Sequence, residues 1–119
     1  MKYLCLIYDN EQNWVNLSQA DMDKVFAEHD VFSQDIRAKG QYVAGEALHP
    51  STTATTVRVR NGKTTISDGP FAETKEQLGG FYIIEAADLN DALQVAARIP
   101  EARSGSIEVR PVMDLSQQP

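Results

Sequence analysis

Two strand-length stretches that are apolar on both alternating faces, two helix-length stretches with apolar stripes, and an Asn-Gly hairpin between them predict an α+β protein with a ferredoxin-like split βαβ layout. Lys2 to Asp9 (KYLCLIYD) and Phe81 to Ala86 (FYIIEA) are the two strands, and each needs cover on both faces. The expected order is strand, helix, strand, hairpin, strand, helix, strand, so that the hairpin is an insertion between the two halves. Two helices cover one face of such an antiparallel sheet. The other face, apolar at Leu4 or Cys5 and at Phe81 or Tyr82, is expected to bury against a second copy, an isologous homodimer with a barrel-like core.

The elements follow in order. After the first strand, Asn10 to Leu17 is a mostly polar loop containing Trp14. Ser18 is a good N-cap for a helix from Gln19 to Lys39 that stops at Gly40, and Asp21 suits its positive first turn. The apolar stripe of this helix is Met22, Val25, Phe26, Phe32 and Ile36, with His29 in its middle. Gln41 to Leu48 is the second strand, and His49-Pro50 opens a Ser/Thr-rich link. Ala54 to Asp68 is a hairpin on a type I′ Asn61-Gly62 turn, which sets Arg60 opposite Lys63, Arg58 opposite Thr65 and Val57 opposite Ile66. Val57, Val59 and Ile66 then share one face with Asp68, away from Arg58 and Arg60. Thr74 to Gln77 has capping-box spacing and predicts a single helical turn. Asp88 caps a helix carrying Leu89, Ala92, Leu93, Ala96 and Ile99 and ended by Pro100. Ile107 to Val112 is the last strand, with Pro111 suited to an edge, and Leu115 to Pro119 should fray.

Size and charge limit the function. A chain of 119 residues holds one domain, spanning 1–119. Hydrophobic residues at 42% and charged residues at 24% fit a soluble globular protein. A net charge of −6 without any basic block argues against a nucleic-acid partner. The apolar run after Lys2 is too short for a signal peptide and no stretch approaches membrane-spanning length, so a cytoplasmic protein with no membrane partner is expected. Cys5, the single cysteine, lies within a strand and fits a reducing compartment rather than a nucleophile. One Cys and two His supply no structural zinc set, and no metal or cofactor is expected. Neither a Gly-rich phosphate loop nor a Ser nucleophile elbow is present.

The stretch with the densest special chemistry is Asp68 to Phe81, DGPFAETKEQLGGF, which joins a rigid turn to an apolar strand. Two residues are candidates for catalysis. His29 titrates near neutrality and projects from an apolar helical face, as a general acid or base or as a core histidine satisfied by a carbonyl or carboxylate. Asp68 either orients His29 or contacts a ligand, or closes an Asx-type turn on downstream N–H groups. Gly69 and Pro70 hold that turn so that backbone N–H groups point inward, and Phe71 walls a cleft or plugs the core. Arg58 and Lys75 are candidates for an anionic group, with an ion pair and a solvated charge as their plainer roles. Trp14 is a lid or loop packing.

The opening MKYLCLIY, GEAL at Gly45 to Leu48, ATTVR at Ala54 to Arg58, DGPFAETKEQLGGF, ARIP at Ala97 to Pro100 and IEVRPV at Ile107 to Val112 together resemble the YCII-related proteins, in particular their DGPF-domain branch. The resemblance spans nearly the whole chain and implies a dimeric α/β-barrel-type, ferredoxin-like fold. It carries no established reaction. Shorter relatives are proposed enzymes with a His on the first helix and an Asp facing a cleft. His29 falls close to that His, whereas those relatives lack the DGPF stretch and so have no counterpart of Asp68. Genes of the branch often neighbour those of extracytoplasmic-function sigma factors. Two functions are therefore expected as alternatives: a small-molecule-binding protein, with His29 and Asp68 transferring protons beside the DGPF loop, or a non-catalytic dimeric interaction module acting with such a regulator.

Overall fold

A computed structural model describes residues 1–117 of the chain. Strand β1 (Lys2–Asp9) is followed by a short helix α1 (Gln12–Val15), the long helix α2 (Gln19–Ala38) and strand β2 (Tyr42–Ala47). The hairpin β3 (Thr55–Arg60) and β4 (Lys63–Asp68) leads to β5 (Gln77–Glu85), helix α3 (Leu89–Ala96), a 3-10 turn at Pro100–Arg103 and β6 (Ser106–Pro111). The main sheet is antiparallel with order β2-β5-β1-β6, the ferredoxin-like arrangement, and β3-β4 forms a separate two-stranded sheet. No helix of the described residues is long and apolar enough to cross a membrane.

Register decides which face of the sheet is the core. Tyr3, Cys5 and Ile7 of β1 lie beside Tyr82 and Ile84 of β5 on the helix side, where all are buried with Phe32 and Ile36 of α2 and Ala92, Val95 and Ala96 of α3. Leu4 and Leu6 pair with Ile83 and Phe81 on the opposite face, away from the helices, where these side chains are only partly buried among the described residues. The helices begin where their caps allow: the Ser18 hydroxyl accepts from the Asp21 N–H at 3.1 Å, and the Asp88 carboxylate from the Asp91 N–H at 2.8 Å.

The hairpin has the expected pairing throughout, Arg60 with Lys63, Arg58 with Thr65 and Val57 with Ile66, and Asn61 and Gly62 take φ of 53° and 74°. Several expectations need correction. Thr74 to Gln77 forms no helical turn; the Thr74 hydroxyl bonds the Glu76 carbonyl instead, and β5 starts at Gln77. Asn10 to Leu17 contains α1 rather than loop alone. Phe26, Leu89 and Leu93, expected in apolar stripes, are exposed, because α2 turns the Met22, Val25, Phe32, Ile36 row toward the sheet and α3 turns Ala92, Val95 and Ala96. The apolar face of the hairpin is exposed too, so Asp68 stands in solvent with it. At the C-terminus Leu115–Gln117 makes a 3-10 turn, and residues 118 and 119, expected to fray, lie outside the described residues.

Candidate functional site

His29 leaves α2 between Val25 and Phe32 and points at the core, where both ring nitrogens find partners. Its Nδ1 lies 2.7 Å from the Tyr82 hydroxyl. Its Nε2 lies 2.7 Å from Glu101 Oε2, and Glu101 Oε1 is equally near but off the line of the N–H. Burial first, then the Glu101 carboxylate and Tyr42, push the Tyr82 phenol up to about 12, so it keeps its proton. When the ring is neutral, Tyr82 donates to Nδ1, the imidazole proton sits on Nε2, and Nε2–H donates to the Glu101 carboxylate. The chain O–H to N, N–H to carboxylate orients all three side chains.

Two glycines make room for this row. A Cβ on Gly45 of β2 would stand 2.7 Å from Tyr82 Cδ1, so the phenol ring lies flat over bare backbone. A Cβ on Gly105 would stand 2.0 Å from the Tyr8 carbonyl, so only glycine lets the 3-10 turn press onto the end of β1. That close approach sets Glu101 and Ser104 over Asp9, which continues the buried alternation Tyr3, Cys5, Ile7. Asp9 and Glu101 are each 6% exposed. Asp9 is fully held: Ser104 Oγ donates at 2.7 Å, the Asn10 N–H at 2.8 Å and Asn13 Nδ2 at 3.2 Å. Glu101 is less so, since its Oε1 accepts no hydrogen bond among the described residues.

Both carboxylates line an open hollow of about 200 Å³, whose wall also includes Trp14, Leu17, Val25 and Arg103. Arg103 is engaged by Glu28 on α2, so the lining is acidic on balance. A wider hollow of about 600 Å³ lies between α2 and the segment that follows α3, lined by Phe32, Arg98 and Pro100 among others, and contains none of the His29 row. The larger hollow is lined by Lys24, Glu28, Asp35 and Arg98, of which Asp35 is paired with Arg98, whereas the smaller cavity is the one that meets the two buried carboxylates. No group of three or more metal-ligating side chains occurs among the described residues.

The domain described as YCII-related matches residues 1–116. The chain belongs to the YCII-related family. A similar relative, an uncharacterised protein of Rhizobium meliloti (strain 1021), is 38% identical over 114 residues, covering 94% of this chain and 92% of the relative.

Within this family member the expected site residues separate into two groups. His29 is at the cavity's edge through Glu101. Asp68 is not its partner: both ring nitrogens are taken, and Asp68 pairs with Thr55 on the exposed hairpin. Among the described residues its carboxylate also makes no Asx turn. Arg58 donates to the Phe71 carbonyl at 3.4 Å, while Pro70, Phe71 and Lys75 are exposed and line neither hollow. Gly69 ties the hairpin base, its N–H donating to Ala54 O and its carbonyl accepting from Thr56 Oγ1. The physical cause is that β3-β4 stands apart from the main sheet. Asp9 had a signal in the sequence, the parity of β1; Glu101, behind a helix-ending proline, had none.

Proposed function

We propose that this protein binds a small molecule in the cavity between Trp14 and Glu101, and that Glu101 exchanges a proton with it while His29 and Tyr82 position the carboxylate. The observation that carries this is Glu101 itself, a buried carboxylate in the cavity wall whose Oε2 accepts from the imidazole and whose Oε1, 2.7 Å from the same ring nitrogen, accepts no hydrogen bond among the described residues. A buried carboxylate left in that state favours a ligand that brings a hydrogen-bond donor. With Asp9 also in the wall, the ligand is cationic or rich in N–H and O–H groups rather than anionic. In the proton-transfer step the carboxylate accepts a proton from the ligand and returns it to another ligand atom. His29 Nε2–H steadies the charged form, because it donates to it.

Trp14 is the single tryptophan of the chain, so its fluorescence reports on the cavity alone. Small primary amines and amidines at millimolar concentration should change Trp14 emission saturably, and carboxylates of matched size should not. Glu101→Gln should weaken that response tenfold or more at unchanged fold. Indifference of Trp14 to every probe, or a preference for carboxylates, rejects this function.

The open sheet face, with Leu4, Leu6, Phe81 and Ile83, is read as the surface that pairs two copies. The rival function, an interaction module for a regulator such as an extracytoplasmic-function sigma factor, draws support from the exposed apolar hairpin. It requires that Glu101→Gln leave function intact, and a pull-down with a neighbouring sigma factor that repeatedly recovers nothing counts against it.

A further inference from the structure

Resting on the function proposed above and narrowing its ligand to one class, we infer that the hollow beside Glu101 takes a small primary amine with a single hydrocarbon tail. The ammonium group sits on Glu101 and the tail runs along Trp14, Leu17 and Val25. Two sides of different chemistry face each other across this hollow. The end of β1 and the 3-10 turn, with Ser104 after it, bring Asp9, Glu101 and Ser104, whereas the segment from α1 into α2 brings Trp14, Leu17 and Val25. Val25 precedes His29 by one helical turn on the same row of α2, so the contact that joins His29 to Glu101 also sets the apolar side against the acidic one. Trp14, Leu17 and Val25 are each only half-buried, and hydrocarbon laid on them removes apolar surface from water. Asn13, the polar side chain that α1 adds to the wall, is turned to Asp9, to which its Nδ2 donates at 3.2 Å.

The acidic side selects the head group. Glu101 is 6% exposed and its Oε1 accepts no hydrogen bond among the described residues, which is the position for a charged donor. Asp9 already accepts from Ser104, Asn10 and Asn13, so its charge acts on the ligand through the field rather than through a bond of its own. One carboxylate in need of a donor fits one ammonium group. The second ammonium of a diamine would lie against Trp14, Leu17 and Val25 and lose its water there, and a quaternary ammonium has no N–H to give Glu101. Arg103 is no seat for a ligand carboxylate, because its Nε donates to the Pro100 carbonyl and its Nη2 to Glu28. Size limits the tail: a hollow of about 200 Å³ has room for about six groups of the volume of a water molecule, roughly 30 Å³ each, and so for an ammonium and about five carbons.

The test is a titration of the full chain with straight-chain primary amines from methylamine to octylamine, read by Trp14 emission and independently by ligand-observed NMR. Affinity should rise about twofold to fourfold with each added methylene, the range from half to full burial, and level off near pentylamine. Pentanol, pentanoate and 1,5-diaminopentane should each bind about tenfold more weakly than pentylamine or worse. Leu17→Ser should flatten the dependence on chain length while methylamine still binds, and Glu101→Gln should erase the preference for pentylamine over pentanol. Amines that bind equally at every length overturn the assignment of the tail, and a diamine or alcohol that binds as well as pentylamine overturns that of the head group; either result sinks this inference and leaves the proposed function standing. Binding of no amine by either readout overturns both.

Discussion

Tyr82 sits where three rings meet: it lies near-parallel to His29 at 6.0 Å, meets Phe32 edge-on at 5.1 Å and Tyr42 edge-on at 6.4 Å. Its hydroxyl is thereby desolvated and bound to the imidazole, which couples stability to pH. The unfolded phenol ionises at its ordinary 10.0 and the folded one at about 12, and burial likewise moves the Cys5 thiol from 9.0 to about 11. Between those values only the unfolded chain releases the protons. Stability from both groups is therefore whole below about pH 9 and is lost as pH rises toward 12, by roughly 2 kcal/mol each. Urea unfolding at pH 8 and 11.5 should show this loss, and Tyr82→Phe should remove about half of it. Equal stability at the two pH values contradicts the buried phenol. Cys5 is for the same reason a core side chain and not a nucleophile.

At the scale of elements, the site depends on how closely the 3-10 turn after α3 approaches β1. Gly105→Ala puts a methyl group against the Tyr8 carbonyl, and the turn must lift, moving Glu101 off His29 and Ser104 off Asp9. A destabilisation of about 3 kcal/mol is expected in chemical denaturation, with the His29 ring proton shifts altered in NMR spectra. Helix α2 is held from within: Ile36 is fully buried, and Ile36→Ala should cost about 3 kcal/mol through the cavity it leaves. A loss below 1 kcal/mol in either variant shows that the packing relaxes freely and the site is not fixed this way. The loop Pro70 to Glu76 meets the main sheet at its end, where Ser106 Oγ of β6 donates to Glu76 Oε1 at 2.8 Å. Its neighbour Gln77 is tied to two more loops, because its side-chain oxygen accepts from the Glu11 N–H at 2.9 Å while Glu11 accepts from the Ser51 hydroxyl at 2.8 Å. The end of the DGPF stretch thus ties three loops together, a structural duty that its many charged residues do not advertise.

For the molecule as a whole, the radius of gyration of 16.5 Å exceeds the roughly 13 to 14 Å of a compact chain of this length. The extents of 52 × 47 × 18 Å describe one thin layer pair with an arm, a shape that leaves an apolar sheet face without cover. Phe81→Glu, at the centre of that face, should convert a dimer to a monomer by light scattering at 10 μM while leaving Trp14 emission unchanged. A dimer that tolerates Phe81→Glu rules the sheet face out as the interface.

What the amino-acid order determined by itself was what longer periods and turn chemistry set: the α+β class, the order of the strands and of α2 and α3, the caps at Ser18 and Asp88, and each pair of the Asn61-Gly62 hairpin. His29 was legible as a site residue because a histidine in an apolar helical row is conspicuous. Its partners were not, since Tyr82 and Glu101 are 53 and 72 residues away and only the β1-β5 register and the glycine contact at Gly105 bring them to the ring. Asp68 looked inward because its register neighbours are apolar. Only the tertiary structure decided that this face is in solvent, since alternation tells which side chains share a face but not whether anything lies against it.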